Sequence, residues 1–246
     1  MQGSQKLSII QPCKTKCRVC GEECDGIKWP SGRPIFLACD KCYEKEEQES
    51  KARFQQHMED AYLLRLKNPE EWLEAAGVNS RYIKCSLENF DGTYPEIPPS
   101  FITGPVGTGK THIAVGYLRR DIINNGGRVQ FIRAVDLFKQ IRGCFREGSE
   151  TSEEELMDRY GGTTFLVLDD LGTEKVSDFV EQTLYDLIDL RYAEMYPTII
   201  TSNLSIAQVA AHYKNHGDRL ASRICGMGEV YEIKAKDRRL ARKDRP

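Results

Sequence analysis

Gly104-Pro105-Val106-Gly107-Thr108-Gly109-Lys110-Thr111 fits the spacing G-x-x-x-x-G-K-[ST] and lies between the apolar run Phe101-Ile102-Thr103 and a helix-like run from His112 to Ile123. In that strand, loop, helix setting the glycines let the backbone wrap an anion with its N–H groups, and the helix start adds partial positive charge. The chemistry is triphosphate binding. Lys110 would reach the β- and γ-phosphates, and Thr111 would place its hydroxyl on Mg²⁺. Gly104, Pro105, Val106, Gly107, Thr108, Gly109, Lys110 and Thr111 are the expected nucleotide contacts. Downstream, Phe165-Leu166-Val167-Leu168 runs into Asp169-Asp170. Such an apolar run suits a strand buried on both faces, and its end delivers two carboxylates to the crevice where ligands of parallel sheets bind. Asp169 is expected to hold Mg²⁺, and Asp170 to orient the attacking water. A further apolar run, Pro197 to Ser202, ends in Asn203, which could hold the water or the γ-phosphate.

A second constellation opens the chain. Six of the nine cysteines (Cys13, Cys17, Cys20, Cys24, Cys39 and Cys42) fall in the first 42 residues. In a chain with no secretion signal this crowding favours metal over disulfides. Cys17-x-x-Cys20 and Cys39-x-x-Cys42 have the spacing of two zinc knuckles closing one tetrahedral site. Four thiolates leave no open position for water, so the zinc is expected to be structural. Too few residues surround it to bury much apolar surface, and the metal would supply much of the folding free energy. Cys13 or Cys24 could replace a neighbour as ligand. Cys85, Cys144 and Cys225 are expected to be small buried hydrophobes.

The elements that must position these groups follow from periodicity and breakers. Phe54, Met58, Ala61, Tyr62 and Leu66 recur at helical steps within a charged, glycine-free stretch from Tyr43 to Leu66, an amphipathic helix ended by Asn68-Pro69. A short helix from Glu70 stops at Gly77. Pro98-Pro99 forces an extended entry into the loop strand. After a turn at Asn124-Asn125-Gly126-Gly127, strand and helix alternate: Arg128 to Ile132, Val135 to Phe145, then a helix opened by Thr151 and Glu154 as a capping box. A helix from Val176 to Ala193 follows the acidic strand, one from Ser205 to His216, boxed by Ser205 and Gln208, follows Asn203, and Glu229 to Lys234 reads as a last strand. Strands alternating with helices imply a parallel sheet covered on both faces. With 35 basic and 37 acidic residues the net charge is −2, so no global field argues for nucleic acid. No run approaches the roughly 20 apolar residues of a membrane span. The expectation is a soluble, cytoplasmic protein without a membrane partner.

The ordered set Gly77-Val78-Asn79-Ser80-Arg81-Tyr82, Leu87-Glu88-Asn89-Phe90, Gly104 to Thr111, Leu166 to Gly172, Leu190-Arg191-Tyr192 and Pro197 to Leu204 resembles the DnaC/IstB-like branch of the AAA+ ATPases, the helicase loaders. The cysteine module resembles the N-terminal zinc domain of the DnaI-type loader. The resemblance implies an α/β P-loop AAA+ core with little or no helical lid, since the segment after Asn203 is short for one. It divides the chain into a zinc-binding module at 1–45, a helical linker at 46–76 and an ATPase domain at 77–246. It makes Asn203 the sensor 1 residue, Arg219 the arginine finger acting on a neighbouring subunit, and Arg239 the sensor 2 residue, with Arg223 and Arg238 as rival positions. The wider family has a glutamate where Asp170 stands, which implies slow hydrolysis or help from Glu174.

The function so implied is an ATPase using Mg²⁺ that loads a replicative DNA helicase onto single-stranded DNA and self-associates in an open ring or spiral. Two alternatives share the motifs: an IstB-like transposition helper acting on duplex DNA, and a non-hydrolysing adaptor. A GTPase is disfavoured because no Asn-Lys-x-Asp motif is present.

Overall fold

The computed structural model describes residues 11–28, 31, 34–35, 37–144, 152–172 and 177–241. The chain divides into two compact units, Met1–Ala61 and Tyr62–Pro246. In the first, β1 (Gln11–Lys16) and β2 (Glu23–Lys28) form an antiparallel hairpin, and β2 pairs in turn with β3 (Pro34–Ile35). The hairpin turn contains Gly21 at φ +77°, a conformation suited to glycine. Among its described residues only Thr15 and Gly26 are buried, and Cys17, just past β1, is buried too.

The helix α1 (Asp40–Lys67) starts between the second pair of cysteines and is longer than expected. Its anticipated apolar face is not covered: Phe54, Met58 and Leu66 are 67%, 45% and 48% exposed. Its buried residue is instead Arg65, whose Nε donates to the carbonyl of Ile123 at 3.2 Å. Charged pairs such as Lys51–Glu47 at i, i+4 support the exposed helix. Then α2 (Pro69–Ala75) opens on proline and is stopped by Gly77 at φ +94°, where a side chain would meet the carbonyl of Phe131 at 2.7 Å.

The second unit is built on β4 (Phe101–Thr103), β5 (Val129–Arg133), β6 (Phe165–Leu171), β7 (Thr198–Ser202) and β8 (Val230–Glu232), all parallel, in the order β5-β6-β7-β4-β8. The helices between them are α3 (Lys110–Asn125), α4 (Ala134–Gly143), α5 (Glu153–Leu156) with a π-helical turn at Met157–Gly161, α6 (Asp178–Ala193), α7 (Ile206–His212) and α8 (Gly217–Met227); α9 (Arg238–Ala241) follows β8. Alternate residues of the inner strands face opposite cores. Leu166, Leu168, Phe101 and Ile200 join α4, α6 and α8 on one face. Phe165, Val167, Ile102 and Ile199 join α3 and the segment around Leu87 and Phe90 on the other. Burial on both sides explains why these strands read as continuous apolar runs. No helix among the described residues is long and apolar enough to cross a membrane.

Several local expectations shift. The capping box belongs to Ser152 and Glu155, one residue beyond the expected pair; Thr151 lies outside the described residues. The helix opened by Ser205 ends at His212, because the amides of Asn215 and His216 bond to Glu181 and a new helix starts at Gly217. Cys225 is exposed and Cys85 and Cys144 are only half-buried, so none is a fully buried core residue. Glu174 and the basic residues beyond Ala241 lie outside the described residues.

Candidate functional site

Beyond β4 the chain enters the glycine loop, where Gly104, Gly107 and Gly109 hold φ of +144°, +77° and +103°. A side chain would strike the carbonyl of Ile233 at Gly104 (2.5 Å) and the ring of Phe90 at Gly109 (2.6 Å), so both conformation and space demand glycine. Buried Thr108 closes the loop by donating to the carbonyl of Pro105 at 2.9 Å. The first turn of the 16-residue helix α3 has no side-chain cap, which leaves orphan amides for an anion.

Lys110, 7% exposed, donates to the carbonyls of Gly104 (2.8 Å) and Pro105 (2.9 Å) and to Asn203 Oδ1 (2.7 Å). All three acceptors are neutral. Burial pulls the ammonium below its ordinary pKa, the carboxylates of Asp170 and Asp169 pull it back, and Arg239 adds to the depression. A buried ammonium with only neutral acceptors suits a phosphate, and this is how the loop fits a nucleotide.

The two carboxylates sit on a β-bulge. Leu168 pairs with Ile200 and Leu171 with Ser202, so Asp169 and Asp170 together oppose Thr201. The bulge aims them differently: Asp169 is 4% exposed, whereas Asp170 is exposed with φ +60°. Asp169 Oδ1 accepts from Thr111 Oγ1 (2.8 Å) and Thr201 Oγ1 (2.7 Å), and Thr201 Oγ1 in turn accepts from the Asp170 amide (2.9 Å). Burial raises the Asp169 pKa despite those two hydroxyls. A dication would relieve that cost, and the oxygens of Thr111 and Asp169 are the hard donors Mg²⁺ takes. Asn203 Nδ2 donates to Asp170 Oδ1 at 3.0 Å, completing a chain from Lys110 through Asn203 to Asp170.

Val106, Gly107, Gly109, Lys110, Thr111, Asp169, Asp170, Asn203 and Arg239 line one cavity of about 920 Å³. Arg219 does not join it. It is exposed in the first turn of α8 and lines a separate cavity of about 570 Å³. Its rival Arg223 is engaged within the chain, bonded to Asp189 Oδ1 at 2.5 Å and stacked over Tyr192. Arg238 stacks on Phe90 and donates to the carbonyl of Thr108 at 3.0 Å.

Two groups escaped the sequence reading. The His112 Nε2 meets the oxygens of Ser86 (2.9 Å) and Asn89 (2.7 Å), both acceptors, which puts the proton on Nε2. The available signal was Leu87 to Phe90 ahead of the loop. Thr201, mid-strand in an apolar run, gave none. Thr201→Val is expected to strip Asp169 of one donor and leave the Asp170 amide unpaired, costing about 1–3 kcal/mol of stability. Mg²⁺-dependent nucleotide affinity, followed by titration calorimetry, should fall roughly tenfold at the cost of one charge-assisted bond.

In the first unit, the sulfurs of Cys17, Cys20, Cys39 and Cys42 all lie within 4.8 Å of one another, with Cys20 Sγ and Cys39 Sγ 3.8 Å apart. A tetrahedron with bonds of about 2.3 Å has edges of about 3.8 Å. The amides of Val19 and Cys39 donate to Cys17 Sγ, each at 3.3 Å. Backbone N–H groups of Cys20 and Cys39 pull the Cys17 thiol down to about 6, while hydrogen bonds with the Cys39 and Cys20 sulfurs push the Cys42 thiol up to about 12. Four sulfurs competing for charge are what a dication such as zinc could bind. Cys13 and Cys24, on the hairpin strands, lie outside this group. Metal analysis is expected to find about one zinc per chain. Cys39→Ser or Cys42→Ser should lose it with the circular dichroism of the first unit, and Cys13→Ser should keep both.

The family model described as IstB-like ATP binding protein matches residues 75–245. The replicative helicase loader DnaC of Escherichia coli (strain K12) is 28% identical over 138 residues, 56% of this chain and 53% of that protein. An insertion-sequence ATP-binding protein of Sinorhizobium fredii is 28% identical over 183 residues, 74% of this chain and 59% of its own length. The chain thus spans about half the length of the curated loaders it matches. Among solved structures, the DnaC helicase loader superposes with TM-score 0.54 at 26% identity, over 63% of this chain and 100% of that one. DnaI, at TM-score 0.53 and 22% identity, covers 64% of this chain and 95% of its own, and shares the fold. With its parallel five-stranded AAA+ sheet and glycine loop, the chain belongs to the family of IstB-like ATP-binding proteins.

Proposed function

We propose that this chain is a Mg²⁺-dependent ATPase of the helicase-loader type, acting on a replicative DNA helicase and single-stranded DNA. The observation that carries the reading is the hydrogen-bonded set Lys110–Asn203–Asp170 and Thr111–Asp169–Thr201, held at the ends of three adjacent strands. Gly104 to Thr111 would bind the phosphates, and Thr111 and Asp169 the Mg²⁺. Bound Mg-ATP supplies the phosphoryl group and a neutralising cation. The chain's own groups do the rest. Lys110 offers its donors to phosphate oxygens in place of neutral carbonyls. Asp170, held by Asn203, orients water and accepts its proton. Arg239 adds positive charge from the same chain.

Arg219, exposed and outside this cavity, serves a neighbouring copy. The internal partners of Arg223 favour Arg219 over it for that role. A trans arginine is worth on the order of 10³ to 10⁵ in rate, so the isolated subunit should hydrolyse slowly and assembly should switch hydrolysis on. The zinc module at 1–45 and the helical linker at 46–76 would dock the partner, leaving 77–246 as the ATPase domain.

The test is affinity capture from host lysate with and without ATP. Recovery of a replicative helicase dependent on nucleotide supports loading. Recovery of a transposase without helicase supports the second reading, which the insertion-sequence relative favours by matching more of this chain than the loader does.

A further inference from the structure

The helix α6 presents one stripe to α8. Glu181, Tyr185, Asp189 and Tyr192 recur at helical steps, and together they hold both ends of the segment that carries Arg219. Glu181, 4% exposed, accepts through Oε1 from the amides of Asn215 (2.6 Å) and His216 (2.5 Å) and through Oε2 from Asn215 Nδ2 (3.4 Å). Asp178 takes Asn215 Nδ2 at 3.0 Å. The His216 ring lies flat on Tyr185, with centroids 5.0 Å apart. At the other end Asp189 and Tyr192 hold Arg223.

His216 stands at the start of α8 and provides no side-chain cap. Glu181, on another element, holds the amides of the two residues that lead into the helix and puts its charge near the helix's positive end. A buried carboxylate bonded only to N–H donors costs desolvation, and a protein gains by keeping one where the geometry it fixes matters. Here it fixes the entry to α8, at Asn215 and His216. Arg219 is the third residue of α8, three beyond His216. The other end of the link is the site itself, because α6 is the helix that follows the acidic strand β6.

We propose that Glu181 is a positioning residue for the arginine this chain extends into the nucleotide site of a second copy, setting the register and direction of α8 relative to its own acidic strand. The proposal rests on the trans role of Arg219 given above. It predicts a polarity that a merely structural residue would lack, since loss of Glu181 should damage the subunit that gives the arginine and spare the subunit that receives it.

The experiment mixes subunits of the full chain and reads ATPase activity. Lys110→Ala subunits can give an arginine, and Arg219→Ala subunits can receive one; together they should recover activity above either alone. Adding Glu181→Ala to the giving subunit should lower that recovery roughly tenfold, the scale of a small misplacement of a catalytic group. Adding it to the receiving subunit should leave recovery within about twofold, in keeping with the indirect role. Glu181→Gln, which keeps an acceptor oxygen, should restore most of the loss and carries the test if the alanine variant melts early. Equal loss in both positions, or no loss in the giving subunit, overturns the proposal. If the reference mixture recovers nothing, the trans reading of Arg219 fails, and the role of Glu181 falls with it.

Discussion

Lys110→Ala is expected to abolish nucleotide-dependent activity while leaving the fold intact or slightly more stable. The ammonium is buried, its acceptors are neutral, and burial holds its pKa below the usual value. An ammonium buried against neutral acceptors carries a desolvation cost that a phosphate would offset, the usual trade between stability and function. Two charge-assisted bonds to phosphate are worth about 3–6 kcal/mol, so ATP affinity should fall at least about 100-fold. Loss of Lys110 also frees Asn203 Oδ1 and loosens the hold on Asp170. Titration calorimetry and thermal melting read the two effects separately. Retained ATPase activity with a lowered melting temperature would show that the lysine serves the fold rather than the nucleotide.

Arg191→Met should be the most damaging single change to the core. Arg191 is fully buried, and its guanidinium donates to Thr198 Oγ1 (2.7 Å) and to the carbonyls of Tyr160 (2.8 Å), Gly161 (3.0 Å), Thr163 (2.8 Å) and Pro197 (2.7 Å). Among the described residues no carboxylate pairs with it, and burial lowers its pKa to about 10. The group remains charged at neutral pH, stabilised by carbonyl dipoles. Those carbonyls belong to the turns that feed β6 and β7, the strands carrying Asp169 and Thr201. Methionine fills much of the volume and satisfies none of them, for a cost of about 3–5 kcal/mol and a fall in melting temperature on the order of 10 °C. Arg191→Lys should recover little, because a single ammonium with three donors cannot span five acceptors. A melting temperature within about 2 °C of the parent for Arg191→Met would mean that water or a shifted turn satisfies those carbonyls.

The sequence by itself determined the chemistry that is local in the chain. The glycine loop, the paired cysteines, the apolar runs ending in Asp169 and Asn203, and the Ser205 capping box each fit within a few residues, where spacing alone dictates backbone conformation and donor placement. The parallel two-faced sheet followed from the same runs. What the tertiary structure decided lies between residues far apart in sequence. Thr201 meets Asp169 only because β7 pairs with β6 across a bulge that no periodicity records. Arg191 binds Tyr160 and Thr163 from a helix whose sequence gives no hint of their carbonyls. The break at Asn215 and His216 depends on Glu181 competing for amides that a helix would otherwise use. The exposure of Phe54 and Met58 was likewise invisible, since an amphipathic pattern states what a helix can bury and the three-dimensional packing decides whether anything covers it.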